Sequence, residues 1–205
     1  MVANRRDAGV RLGELLGGYA HDPDVIVLGI PRGGVVVARE VARALGAPLD
    51  VAVSAKVGAP GNPEDAIGAV AADGEVVINP GAGYSAREVA SLSGAAFEKV
   101  HAQLAMWREG RQAPDLAGHT VLLVDDGLAT GLTARATLGW LHRQGVAKVV
   151  LAVPVAPPDT IAALSGDADE IVAVATPEVF SAVGQFYADF GQTSDAEVRE
   201  ELGYR

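Results

Sequence analysis

The chain has no cysteine among its 205 residues, which excludes disulfides and thiolate-ligated metal sites. No apolar run approaches the ~18–20 residues of a membrane span. The opening stretch, MVANRRDAGVRLGELL, lacks the hydrophobic segment and cleavage site of a secretory leader. Positive charge is scarce: 16 Lys and Arg stand against 26 Asp and Glu, a net charge of −10. Without a basic stripe, such a chain is a poor partner for nucleic acid or an anionic membrane. The sequence holds no internal repeat and no low-complexity block. His21, His101, His119 and His142 are scattered without ligand spacing. The expectation is a soluble, cytoplasmic protein that must meet any anionic ligand with a few local cations, backbone amides or a metal ion.

What is present is apolar: 49% of residues are hydrophobic, enough for the core of one α/β domain. Residues 5–19 read as an amphipathic helix with Val10, Leu12, Leu15 and Leu16 on its apolar face. VIVLGI (25–30) is a short β-rich run of the kind buried on both faces. A helix follows over 34–46, closed by Gly46. Residues 49–57 read as a strand, 58–65 as a Gly/Pro/Asn loop, and 66–79 as a hairpin about an A-D-G turn. A long helical pattern spans 85–110, with Val89, Leu92, Ala96, Val100, Leu104 and Trp107 three or four apart. Strands at 120–125, 148–155 and 170–176 alternate with helices at 133–145 and 158–165. This alternation predicts an α/β fold: a parallel sheet with helices on both faces and ligands at the carboxyl ends of its strands. Trp107 and Trp140 fall on helical faces and read as packing.

One stretch carries chemistry: VLLVDDGLATGLT, residues 121–133. A buried strand runs into two aspartates and then into a loop of small residues at a helix start. Small residues let backbone amides approach a ligand, and a helix N-terminus favours an anion. Thr130 and Thr133 add hydroxyls. Two carboxylates beside such a cradle repel a phosphate unless they face something else, and sugar hydroxyls, as donors, suit them. Other phosphate motifs fail here. A Walker loop needs Lys where Leu132 stands, and neither GIPRGG nor GLATG supplies GxGxxG. A receiver domain also has an acidic pair, but near its start and with an acceptor Asp on a later strand; here about 120 residues precede the pair.

VLLVDDGLATGLT resembles the phosphoribosyl-pyrophosphate (PRPP) signature of the type I phosphoribosyltransferases: four apolar residues, two acidic residues, two variable residues and a Thr/Gly-rich phosphate loop. The resemblance covers about 25–155. It implies that Asp125 and Asp126 contact the ribose hydroxyls and that Gly127 and Ala129, Thr130, Gly131 and Thr133 belong to the 5′-phosphate loop. Gly131 is then expected where a Cβ would crowd the phosphate or strain the backbone. Mg²⁺ is the implied cofactor, with Asp125 and Asp126 as its ligands, directly or through PRPP or water. GIPRGGVVVA (29–38) is similar to the family's pyrophosphate loop. This makes Arg32, Gly33 and Gly34 pyrophosphate ligands and implies a cis bond at Pro31–Arg32. Lys56, in AKVGAP, resembles the basic strand end of adenine and orotate members. Arg32 and Lys56 are thus the candidate catalytic cations.

The resemblance further implies one phosphoribosyltransferase domain over 1–205. Its core is about 20–176, its mobile lid about 57–84, and its hood, over the acceptor, is formed by 1–19 and 177–205. GIPRGGVVVA, AKVGAPGNPE and the aromatic tail are similar to a subgroup of predicted phosphoribosyltransferases. Phe186, Tyr187 and Phe190 either stack on a planar base or belong to the core. The implied function is Mg²⁺-dependent transfer of phosphoribose from PRPP to an acceptor, a nitrogenous base by expectation, with release of pyrophosphate. The alternative is a PRPP-sensing regulatory protein that keeps the site without the chemistry. Ala129 occupies the position where 6-oxopurine members carry a third carboxylate. The acceptor, the pathway and homo-oligomerisation stay open at this level.

Overall fold

The computed structural model describes residues 1–203, the side chain of Glu64 excepted; residues 204–205 of the expected hood lie outside the described residues. A five-stranded parallel sheet forms the centre, in the order β2-β1-β6-β7-β8. These strands are β1 (Val25–Gly29), β2 (Leu49–Val51), β6 (Thr120–Val124), β7 (Lys148–Val155) and β8 (Glu170–Ala175). Their near-continuous apolar runs follow from burial on both faces. Side chains alternate across a strand, so Val25, Val27, Leu122, Val124, Val150 and Ala152 point into one core. Ile26, Leu28, Val121, Leu123, Val149 and Leu151 point into the other.

The first core is covered by α1 (Arg5–Leu15) and α2 (Gly33–Leu45), the second by α5 (Leu132–Arg143) and α6 (Pro158–Leu164). Gly46 ends α2 in the left-handed conformation, as its position predicts. The α1 helix is shorter than 5–19 and a 3₁₀ turn follows it. It does not bury Val10 or Leu15, which are exposed. Its buried face is Ala8, Gly9, Leu12 and Gly13. A Cβ at Gly9 would lie 2.6 Å from the Val37 carbonyl oxygen of α2, so small residues rather than large ones select the packed face.

The segment 49–57 is two strands, not one. β2 stays in the parallel sheet, whereas β3 (Ser54–Ala59) joins β4 (Asn62–Ala71) and β5 (Val76–Ile78) in a separate antiparallel sheet. The expected loop at 58–65 is largely strand. Gly61 turns the chain with φ 80°, and the register shifts beside Gly58. Gly58 packs too close to Pro63 for a side chain. The hairpin at 66–79 is as predicted. The 85–110 helix is broken at Ser93 into α3 (Ala86–Leu92) and α4 (Gly94–Arg108). The Ser93 hydroxyl donates to the Ala90 carbonyl, a side-chain bond that competes with helix continuation. The antiparallel sheet shares a third core with α4 and α7 (Asp195–Glu201), in which Trp107 is fully buried. No helix among the described residues is long and apolar enough to cross a membrane.

Candidate functional site

Parallel pairing of β1 with β6, Gly29 opposite Val124, brings two loops together at the carboxyl edge of the sheet. The Ile30 amide donates to the Val124 carbonyl at 2.8 Å, which ties the loops where they leave the strands. Pro31–Arg32 is a cis peptide, as the resemblance implied. Gly33 and Gly34 then start α2 against the aspartates. A Cβ on Gly34 would lie 2.8 Å from the Asp125 Cα, and one on Gly33 1.9 Å from Asp126 Oδ2. Only glycine allows this approach. The two glycines and the aspartates they meet, 91 and 93 positions apart in the chain, therefore form one wall.

Asp125 and Asp126 have different surroundings. Burial, and then the neighbouring Asp126 charge, push the Asp125 carboxyl well above the usual carboxylate range. Its Oδ1 accepts from the Asp126 amide at 2.8 Å. Asp126 Oδ2 instead accepts from Arg5 Nε at 2.7 Å, with the two side chains 17% and 13% exposed. Arg5 also donates to the Gly191 carbonyl at 2.6 Å and lies 4.0 Å from the Phe190 ring centroid. Tyr187 is buried rather than free to stack on a ligand: its hydroxyl donates to the Asp126 carbonyl at 2.6 Å, and its ring meets Phe190. Phe186 stacks on Phe180. The N-terminus and tail thus converge on the acidic pair, Val2 bridging to Tyr187.

The loop after the pair is fixed from several sides. Leu128 donates to the Val155 carbonyl and Thr160 Oγ1 to the Ala129 carbonyl. Ala129 and Thr130 are exposed. Gly131 has φ 69°, a left-handed conformation that favours glycine, and α5 starts at the next residue. The first intrahelical bond runs from the Arg135 amide to the Gly131 carbonyl, leaving the preceding amides as an anion cradle. The Thr133 carbonyl accepts from Ser54 and Thr137, which couples the loop to β3. Gly131 departs from expectation in one respect. A Cβ there would meet Leu164 Cδ1 at 2.8 Å and Thr160 Cγ2 at 3.0 Å. The clash is with α6, not with the space above the loop.

Arg32 and Lys56 line one cleft of about 900 Å³, together with Ser54, Lys99, Gln103 and Asp195. Arg32 is 3.9 Å from Asp195. Asp125 and Asp126 offer hard oxygen ligands, two carboxylates rather than a cage. Among the described residues no group of three or more His, Asp and Glu is arranged to hold a metal. That donor set fits Mg²⁺, which takes one or two carboxylates and completes its shell with phosphate and water. Sequence reasoning missed Arg5, Thr160, Lys99 and Gln103. Arg5 had no local signal, since its partner is 121 positions away. The α4 residues had one: Ala95, Lys99 and Gln103 step by four along a helix face other than that of Val100 and Trp107.

A phosphoribosyl transferase domain model matches residues 12–190. Two Mycobacterium tuberculosis proteins, both named "Putative phosphoribosyl transferase", are 44% identical over 199 residues, which is 95% of this chain and 45% of theirs. The chain spans less than half the length of these relatives. The crystal structure of TT1426 from Thermus thermophilus is similar at TM-score 0.82 and 43% identity, with 98% of either chain covered. The AQ2163 protein from Aquifex aeolicus shares the fold at TM-score 0.55 and 15% identity, covering 97% of this chain and 84% of its own.

Proposed function

This chain belongs to the phosphoribosyl transferase domain family, and on that premise we propose that it transfers phosphoribose from Mg²⁺-PRPP to a nitrogenous acceptor and releases pyrophosphate. One observation carries the reading: the acidic pair is packed on the Gly33–Gly34 helix start and flanked by a left-handed Gly131 that opens α5. A carboxylate wall for a sugar thereby lies between two amide cradles for anions.

The parts divide the substrate among them. The amides and hydroxyls of 129–133 take the 5′-phosphate. Asp125 and Asp126 accept from the ribose hydroxyls, an exchange that requires Asp126 to share or release Arg5. Arg32, Lys56 and the amides of Gly33 and Gly34 face the pyrophosphate. As the bond from C1 to the pyrophosphate oxygen breaks and the bond from C1 to the acceptor nitrogen forms, the bonding pair leaves with the pyrophosphate, and these fixed cations stabilise it. Asp125 or Asp126 would hold Mg²⁺, which would supply further charge neutralisation. We assign the lid to about 57–84, and the hood to the converged N-terminus and tail. Closure would keep water from the electron-poor sugar carbon. We take the setting to be cytoplasmic.

The alternative reading is PRPP sensing without turnover at the same site; the Arg5–Asp126 pair must yield to the ribose in either case. Two measurements test both readings. Changing Asp125 and Asp126 together to Asn should greatly weaken Mg²⁺-PRPP binding in calorimetry; unchanged affinity removes the sugar-site assignment. Pyrophosphate release with PRPP and an acceptor panel marks an enzyme. Tight PRPP binding without release across the panel marks a sensor.

A further inference from the structure

The cleft beside the acidic pair is lined by three cations from three separate elements: Arg32 from the loop after β1, Lys56 from β3 and Lys99 from α4. Among the described residues that line it, the one acid is Asp195, 3.9 Å from Arg32. Among the described lining residues, three positive side chains thus stand against one negative, in a protein of net charge −10. Most other cations are engaged elsewhere. Nine described arginines and lysines lie 3.2 Å or less from a carboxylate. Lys56 and Lys99 make no ion pair among the described residues, and both are exposed. An acidic protein that concentrates unpaired cations in one concavity focuses its field for an anion there.

The α4 helix fixes Lys99 in this position. Val100 and Trp107 bury one side of the helix in the third core, with Phe97 and Leu104 packed beside them. Arg108 anchors the far end, 2.9 Å from Asp50 and 3.2 Å from the Val51 carbonyl at the end of β2. Ala95, Ala96, Lys99 and Gln103 line the cleft. Two alanines leave the space open, and two long side chains offer N–H donors across it.

We propose that Lys99 is a pyrophosphate ligand, with Gln103 as a second donor, so that α4 supplies a wall of the leaving-group site that Arg32 also lines. The inference rests on the PRPP reading and extends it. Lys99 holds the departing group; it does not recognise the sugar or its 5′-phosphate.

The experiment measures calorimetric affinities of the full chain, with Mg²⁺ present, for PRPP, inorganic pyrophosphate and ribose 5-phosphate. Lys99→Gln should weaken PRPP and pyrophosphate by about tenfold or more, the loss expected for one charge-assisted hydrogen bond. Ribose 5-phosphate affinity and the melting temperature should stay unchanged. Lys99→Arg should recover most of the loss. Arg87→Gln, an exposed position outside the cleft, changes the net charge equally and should have no effect. Three results would each overturn the inference: wild-type pyrophosphate affinity in Lys99→Gln, an equal loss for ribose 5-phosphate, or the same loss in Arg87→Gln. If the unmodified chain binds neither PRPP nor ribose 5-phosphate, the PRPP reading itself falls, and the inference with it.

Discussion

Gly33→Ala is the most demanding single-atom test of the site. The added Cβ would lie 1.9 Å from Asp126 Oδ2, 2.7 Å from its Cγ and 2.4 Å from Arg5 Nε. Ordinary non-bonded contacts sit near ~3.5 Å, so the carboxylate and guanidinium must each move by more than about 1 Å. Their 2.7 Å bond cannot survive in its present geometry. A hydrogen bond to a charged group contributes ~1.5–3 kcal/mol. Replacing glycine by alanine returns ~0.5–1 kcal/mol through the unfolded chain. The net loss is about 1–2 kcal/mol, or roughly 2–8 °C in melting temperature for a chain of this size. The functional loss should be larger, because a displacement of ~1 Å in a positioning group can cost ~10²-fold. The assay pairs a thermal melt with calorimetry against Mg²⁺-PRPP. Gly139→Ala is the control: its Cβ would meet only Arg143 Nη1, at 3.3 Å. It sits inside α5 and should stabilise the protein by ~1 kcal/mol. A Gly33→Ala protein that melts as high as the control and binds PRPP normally would refute the packing of Gly33 on Asp126.

Three further outcomes follow from named contacts. Gly131→Val should abolish ribose 5-phosphate binding and also lower stability by ~2 kcal/mol or more, since it combines a left-handed backbone with a clash against Leu164 and Thr160; an unchanged melting temperature contradicts this. Glu170 is held below the ordinary glutamate range by hydrogen bonds from Lys148 and Tyr19. Its contribution is therefore present above about pH 4.5 and lost as pH falls through its lowered value. Because the pair is about 40% exposed, Glu170→Gln should cost no more than ~1 kcal/mol at pH 7, and the difference should shrink as pH falls below about 4.5; a difference that does not shrink there argues against the pair. Finally, Ala129 has no proton-accepting side chain where 6-oxopurine enzymes of the resembled family carry a carboxylate. Assays with saturating PRPP and Mg²⁺ should give negligible turnover of hypoxanthine and guanine, and robust formation of either mononucleotide would defeat the argument.

The parallel core was legible because its cause is local. A strand buried on both faces must be apolar throughout, and the runs at 25–30, 120–125 and 148–155 are short and rich in β-branched residues, as such strands are. The same holds for the acidic pair and its loop, where chemistry and conformation are written in consecutive residues. The strand at 49–57 misled because β2 and β3 have the same local pattern; only the partner, β1 for one and β4 for the other, separates them. Val10 and Leu15 misled because a helix's buried face is chosen by how closely its neighbour can approach. Gly9 beneath the Val37 carbonyl outweighed two large apolar residues. Arg5 on Asp126, Tyr187 on the same residue, and Lys99 in one cleft with Arg32 join segments that carry no mark of one another. Sequence determined which groups could bind a sugar phosphate; tertiary packing decided which of them meet, because an ion pair or a cleft depends on distances that no local pattern encodes.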